Sequence, residues 1–291
     1  MAFKVSTKKN RRAVVRTAPT TSSPPLSSTS EIHASSSNKS KKKRSRRSFN
    51  VLSIILIVVA LAVFSVSLFN LLGIYSDYRA AQKEYRDLDT TYTAVDSGSG
   101  LRRINYDLLL ETNGDFVAWL DIPDTPISYP VVYTPSGNDL YLYTTFQGQQ
   151  ATAGAIFIDY RCPDYFSSRV TIIYGHRMND NTMFAPLKNF LSMDYWENHR
   201  EVHIYTRTGI EVYNVFSSYT AMLDDEAYAF YFNSDQDFLD WGKSVSGKSN
   251  YNTGISLQVD SRVIVLSTCV YAQENNRNVV LAVYDHTLPN P

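Results

Sequence analysis

From Ser48 to Tyr75 the chain carries no charged residue. The heart of that stretch, VLSIILIVVALAVFSVSLFNLLGI, is long enough to cross a hydrocarbon core of roughly 30 Å as a helix rising about 1.5 Å per residue. A segment so apolar leaves few options. In water it would have to be buried on every side, and core helices seldom run this far without a polar face. A cleaved signal peptide would need a shorter apolar region near the N-terminus and small residues at a cleavage site, whereas this run starts after residue 50 and ends in Leu72-Gly73-Ile74-Tyr75. The sequence therefore predicts a transmembrane helix over 51–75.

The charge distribution orients that span. The chain sums to zero, 28 Lys+Arg against 28 Asp+Glu, but residues 1–50 hold 13 basic residues and one acid, Glu31, so they carry +12 and the remainder −12. The run KSKKKRSRR, Lys39 to Arg47, lies flush against the span, while Asp77, Arg79, Lys83 and Glu84 follow it in mixed sign. The positive-inside rule keeps such an N-terminus in the cytoplasm and puts everything after Tyr75 outside. The same basic run can contact anionic lipid. It could be read as a nucleic-acid patch, but the position beside a span favours a topology signal, and the acidic remainder is a poor nucleic-acid ligand. The tail over 1–50, rich in Ser, Thr, Pro and Lys without apolar periodicity, is expected to be disordered. Residues 76–95 suit a short stalk helix with charges on most faces, and Ser97-Gly98-Ser99-Gly100 a flexible joint, so that 76–100 forms a juxtamembrane stalk and linker.

What remains, 101–291, is one domain's length of chain. With 44% hydrophobic and 13% aromatic residues in the whole sequence it can bury a core. Short segments rich in Val, Ile, Tyr and Phe recur at 127–133, 155–159, 169–175, 201–207, 210–219, 262–268 and 278–285 and read as strands. Thr208-Gly209 between two of them specifies a tight antiparallel hairpin. Helices are expected at 104–113, at 182–190 behind a Thr182 cap, and from Ser234, where Phe238, Trp241 and Val245 recur at helical spacing. The aromatic and Met positions of these helices belong to the core. Many short strands with few helices argue for a mainly β, closed or nearly closed barrel, which also removes exposed sheet edges.

The chemistry narrows by exclusion and position. No phosphate loop, dinucleotide fingerprint, zinc helix or metal-ligand cluster occurs, and two cysteines cannot make a disulfide scaffold or a Cys-rich zinc site; no metal and no cofactor is expected. Cys269 ends the apolar run Val263 to Thr268, where a nucleophile would be rigidly held yet reachable. A buried structural thiol, or a disulfide with Cys162, is the alternative. His176 ends another apolar strand, Val170 to Gly175, and an imidazole beside a thiol can take its proton and later protonate a leaving amine. By itself it could equally be an ordinary surface or core histidine. His199 and His203, in or beside a hairpin strand among charges, and His286 near the C-terminus compete less well. Arg277 opens the last strand after a loop from Val270 to Asn276, and pairing of the flanking strands would return it to Cys269. There a guanidinium could serve a developing oxyanion; otherwise it is a solvated loop arginine.

These residues resemble a known family. Val265-Leu266-Ser267-Thr268-Cys269 resembles the Thr-Leu-x-Thr-Cys signature of sortases, with Val265 in place of its first Thr, and Arg277 follows at family-like spacing. Tyr174-Gly175-His176 with the segment to Phe184 is similar to the histidine region of class B sortases. Phe116 to Pro123, Tyr129-Pro130-Val131-Val132 and Asn138-Asp139-Leu140-Tyr141-Leu142 resemble that class's entry into its barrel and its substrate-side loop. The helix from Ser234 is similar to the insertion that marks class B, and no second span or pilin-type lid is recognisable. The resemblance covers about 101–286 and implies a closed sortase barrel of about eight strands with N-terminal and inserted helices. It further implies an extracellular cysteine transpeptidase. Its Cys269 would attack a C-terminal sorting motif of the Leu-Pro-x-Thr-Gly or Asn-Pro-x-Thr-Asn kind after Thr, with His176 as acid and base and Arg277 steadying the oxyanion. Asn138, Leu142, Tyr174, Ser267 and Thr268 would line the substrate groove. The partners implied are a surface protein bearing the motif and a cell-wall peptide amine. Joining pilin subunits through Lys, or a non-catalytic binding barrel, are the other readings.

Overall fold

In a computed structural model of the protein, which describes residues 51–269 and 276–291, the apolar run does not stop at Tyr75. It continues without a break into the stalk, so that one helix of 42 residues, α1 (Val51–Tyr92), contains both. Every residue from Val51 to Tyr75 is exposed, and this half is long and apolar enough to cross a bilayer. The basic tail expected over 1–50 lies outside the described residues.

The second half of α1 is not a free stalk. Ala81, Tyr85 and Leu88, spaced i, i+4, i+7, form one buried stripe. The charges that suggested solvent on most faces make part of the docking contact instead. Glu84 accepts hydrogen bonds from the Thr145 hydroxyl (2.8 Å) and the Gln147 amide (2.9 Å), and Asp77 from the amide (3.1 Å) and hydroxyl (2.9 Å) of Thr152.

The joint expected at 97–100 is likewise ordered. It is the turn between β1 (Thr93–Val95) and β2 (Arg102–Ile104), an antiparallel pair. The Asp96 carboxylate accepts from the amides of Gly98 (3.2 Å) and Ser99 (2.9 Å), and Gly100 takes the left-handed conformation that this turn requires (φ +73°). Arg102 then fastens the hairpin, reaching Asp89 of α1 (2.6 Å) and Asp121 (2.7 Å).

The rest closes into the barrel expected from sequence. Its strands are β3 (Phe116–Asp121), β4 (Ser128–Val132), β5 (Ile156–Ile158), β6 (Val170–Tyr174), β7 (Glu201–Thr206), β8 (Gly209–Met222), β9 (Val263–Cys269) and β10 (Asn276–Leu288). They run in the closed order β10-β8-β7-β3-β4-β5-β6-β9. The β4–β5 and β6–β9 pairs are parallel and the others antiparallel. The β7–β8 hairpin forms as expected, with its turn at 207–208. Strand β3 had no strand assignment from sequence: five of its six residues are buried, so it lacks the polar alternation that marks a half-buried strand.

Strand parity splits the apolar residues between two cores. Ile264 and Leu266 of β9 pack with Trp119, Leu120 and Ile204 in one cluster. Val263 and Val265, on the opposite face, pack with Phe238, Trp241 and Val245 of α5 (Asp235–Gly247) in the other. Ser234 caps α5 as its sequence predicts, accepting the Asp237 amide at 3.1 Å. The remaining α-helices are α2 (Tyr106–Thr112), α3 (Asp139–Leu142) and α4 (Met193–Asn198). The segment expected as an α-helix over 182–190 is a 3-10 helix, Ala185–Leu191, and Thr182 is not its cap; the Thr182 hydroxyl binds Asp180 instead (2.6 Å). Its Met183, Leu187 and Phe190 are nonetheless core residues.

Candidate active site

Two strand ends set the geometry. In the parallel pair β6–β9, Tyr174 is the partner of Ser267, and Gly175 extends the pairing by donating to the Ser267 carbonyl at 3.2 Å. Two residues past Tyr174 stands His176, and two past Ser267 stands Cys269, so the parallel register carries both to the same end of the sheet. Across the antiparallel β9–β10 pair, Cys269 and Arg277 are direct partners. The loop expected from Val270 lies outside the described residues up to 275, and Asn276 already belongs to β10.

Beside this end is a cavity of about 260 Å³. Asn138, Leu142, Tyr174, His176 and Arg277, all singled out from sequence, line it together with Phe157, Arg161, Leu223 and Tyr228. Ser267 stands behind the wall, fully buried, 3.0 Å from the Tyr228 hydroxyl. Thr268 is fully buried too, does not line the cavity, and its hydroxyl has no hydrogen-bond partner among the described residues.

The Leu142 carbonyl at the end of α3 favours the charged form of the His176 ring, and its Nε2 is buried without a partner among the described residues. Burial first, and the Arg277 charge second, hold the imidazole below its ordinary pKa of 6.5, against the opposing effect of the Leu142 carbonyl. The Tyr143 ring lies 5.8 Å from the imidazole.

Another part of the wall is backed by an ionic pair, Asp159 with Arg161, that the sequence did not single out. The Asp159 carboxylate, fully buried at the end of β5, receives Nε (2.9 Å) and an Nη (2.8 Å) of Arg161 and the Tyr174 hydroxyl (3.0 Å). Burial alone would raise the Asp159 pKa, but the Arg161 and Tyr174 hydrogen bonds outweigh it and hold the carboxyl below its usual value. The Arg161 guanidinium also sits 4.4 Å from the Phe230 ring centre. An Asp closing the apolar triplet Ile156-Phe157-Ile158, with an Arg two residues on, was the available signal.

Cys162 is a free, buried thiol whose Sγ faces the Val170 carbonyl at 3.7 Å, and burial raises its pKa. Of the competing histidines, His203 is buried and not among solvated charges alone, with Nε2 2.9 Å from Glu201. Among the described residues no cluster of His, Cys, Asp and Glu could hold a metal ion.

A closed mixed barrel with a histidine and an arginine gathered at the end of a cysteine-bearing strand defines a recognisable class. A family model described as the sortase domain matches residues 120–285. The curated relatives include sortase B of Staphylococcus aureus, 31% identical over 182 residues, which span 62% of this chain and 74% of that protein. Sortase B of Listeria monocytogenes is 36% identical over 163 residues, 55% of this chain and 65% of its own length. Among solved structures, a sortase B from B. anthracis superposes with a TM-score of 0.64 at 31% identity, over 72% of this chain and 99% of that one. The chain thus belongs to the sortase family of cysteine transpeptidases, and its relatives place it in class B.

Proposed function

We propose that the protein is a membrane-anchored transpeptidase that cleaves a C-terminal sorting motif of the Leu-Pro-x-Thr-Gly or Asn-Pro-x-Thr-Asn kind after Thr and transfers the surface protein to a cell-wall peptide amine. The observation that carries this reading is the convergence of His176 and Arg277 on one cavity at the level where Cys269 ends β9. The Cys269 sulfur, as thiolate, adds to the Thr carbonyl carbon; the C–N bond breaks, the departing amine takes a proton from the His176 imidazolium, and a thioester remains. The incoming amine then attacks the thioester, gives its proton to the neutral imidazole and releases the thiolate. Arg277 supplies donors to the oxyanion in both halves. Asn138, Leu142 and Tyr174 bind the motif; Ser267 supports them through Tyr228, and Thr268 acts from the strand interior.

The apolar half of α1 anchors this site, with residues 1–50 cytoplasmic and the barrel outside, where exported substrates and wall precursors both pass. Tethering raises their effective concentration. The test is intact-mass spectrometry of the full chain in detergent with a panel of sorting-motif peptides and an amine. A peptide adduct that is lost in Cys269→Ala, with an amine-exchanged product, is expected. A folded chain with a free Cys269 thiol and no adduct from any peptide would count against the reading and favour a binding role. Preference for a folded protein's Lys over a wall peptide would redirect it to pilin joining.

A further inference from the structure

The membrane-proximal half of α1 reaches toward His176 by two routes, and both begin at Tyr85. The first runs through the loop after His176. The Tyr85 ring packs edge-on against Tyr129, centroids 5.4 Å apart, and the Tyr129 hydroxyl accepts the buried Met183 amide at 2.8 Å. Met183 pairs back with Arg177, and the next amide, Phe184, donates to the His176 carbonyl at 3.0 Å. The loop needs such a hold. Met183 and Asn181 both take left-handed conformations (φ +54° and +66°), which cost non-glycine residues energy unless the surroundings enforce them.

The second route runs to the ring itself. The Tyr85 hydroxyl donates to the Gly154 carbonyl at 2.6 Å and accepts the Phe146 amide at 3.3 Å. Gly154 is pressed so closely on α3 that a Cβ there would lie 2.5 Å from the carbonyl oxygens of Tyr141 and Leu142. The adjoining Ala155 amide binds the Tyr141 carbonyl (2.9 Å), and the neighbouring Leu142 carbonyl acts on the His176 ring by favouring its charged form. One tyrosine on α1 therefore backs both the loop that carries the histidine and a carbonyl that acts on its ring.

We propose that Tyr85 and Tyr129 are positioning residues for His176, so that the docked, membrane-proximal part of α1 is a component of the catalytic apparatus and not only a tether. This rests on the reading of His176 as the proton-transfer group. Neither tyrosine touches the cavity; each acts by fixing where the imidazole stands. A small misplacement of such a group lowers turnover while leaving motif binding largely intact.

The experiment uses the full chain in detergent, with Tyr85→Phe and Tyr129→Phe, each removing one oxygen and keeping the ring. Tyr251→Phe is the control, since the Tyr251 hydroxyl is buried without a partner among the described residues and lies on another part of the fold. Peptide transfer kinetics are read beside the imidazole 15N spectrum, with the His176 signal assigned by its loss in His176→Asn. Each test variant is expected to lower kcat roughly 10-fold or more with KM changed much less, and to shift or broaden the His176 ring signals. The control should change neither. Unchanged kcat and an unchanged His176 signal in both test variants would overturn the proposal, and so would a loss of kcat with the signal intact, because the loss would then not pass through the imidazole. Retained activity in His176→Asn would instead refute the catalytic reading of His176, and the ring signal would still decide whether the tyrosines hold it.

Discussion

Gly175 has no room for a side chain. A Cβ there would lie 2.4 Å from Ile156 Cδ1 and 2.7 Å from the Phe184 ring, and Phe184 is fully buried and cannot swing away. Gly175→Ala must therefore push the loop that carries His176 off the sheet end. Overpacking of this kind costs about 1 to 3 kcal/mol, so the variant is expected to stay folded by circular dichroism while peptide transfer falls at least roughly 10-fold. The imidazole next to it offers a second check. Burial and then Arg277 both disfavour the charged ring, so His176 is expected to titrate below 6.5 by NMR. In Arg277→Gln the midpoint should rise but stay below 6.5, because burial, the larger cause, remains. A midpoint unmoved by the substitution would show that Arg277 does not act on the ring.

At the scale of elements, α5 illustrates what local sequence can specify. Ser234 accepts the Asp237 amide, and Phe238, Trp241 and Val245 form one buried stripe, all readable from spacing. Removing the cap oxygen in Ser234→Ala should cost about 1 kcal/mol, visible as a lower midpoint of thermal unfolding with activity retained. The strands were legible for the same reason: runs of Val, Ile and Tyr bounded by turns need no partner to be recognised. Strand β3 was not, since burial on both faces erased its alternation. The segment after Thr182 has helical spacing, yet Thr182 is drawn to Asp180 and the backbone tightens into a 3-10 helix. The stalk differs from expectation because Asp77 and Glu84 look solvated in sequence, whereas their partners, Thr145, Gln147 and Thr152, arrive from 61 to 75 residues away. Likewise Cys269, His176 and Arg277 were legible as strand ends, while Arg161, held by Asp159, became part of the cavity wall only through the barrel's closure.

For the whole molecule, several carboxylates of the barrel domain are held below their ordinary pKa by their partners. Asp159 is held down by Arg161 and Tyr174 against burial. Asp225 and Glu226 are held down chiefly by Lys248, which reaches them at 2.8 and 2.9 Å from the end of α5. A carboxyl whose folded pKa lies below its unfolded value binds fewer protons folded than unfolded, so its contribution is complete above the unfolded value, near 3.8 for Asp, and is lost as pH falls through the folded one. His176 adds an earlier loss. Its neutral form is favoured in the fold, so the penalty for charging it begins as pH drops below 6.5. Thermal unfolding of the full chain in detergent should therefore show a shallow decline just below neutrality and a steep one below about pH 4. In Asp159→Asn the steep limb should flatten. The same variant removes the buried carboxylate that partners the half-buried Arg161 guanidinium, so stability at neutral pH should fall by roughly 1 to 3 kcal/mol, tempered by the partial exposure of Arg161. Because Asn keeps one acceptor oxygen where Arg161 and Tyr174 use both of the carboxylate's, one of these two cavity-lining groups loses its partner, and KM for the sorting peptide should rise as well, which ties the acid sensitivity of the fold to the wall of this cavity. An acid limb identical in the variant and the parent would mean that Asp159 is not the group that holds the two together.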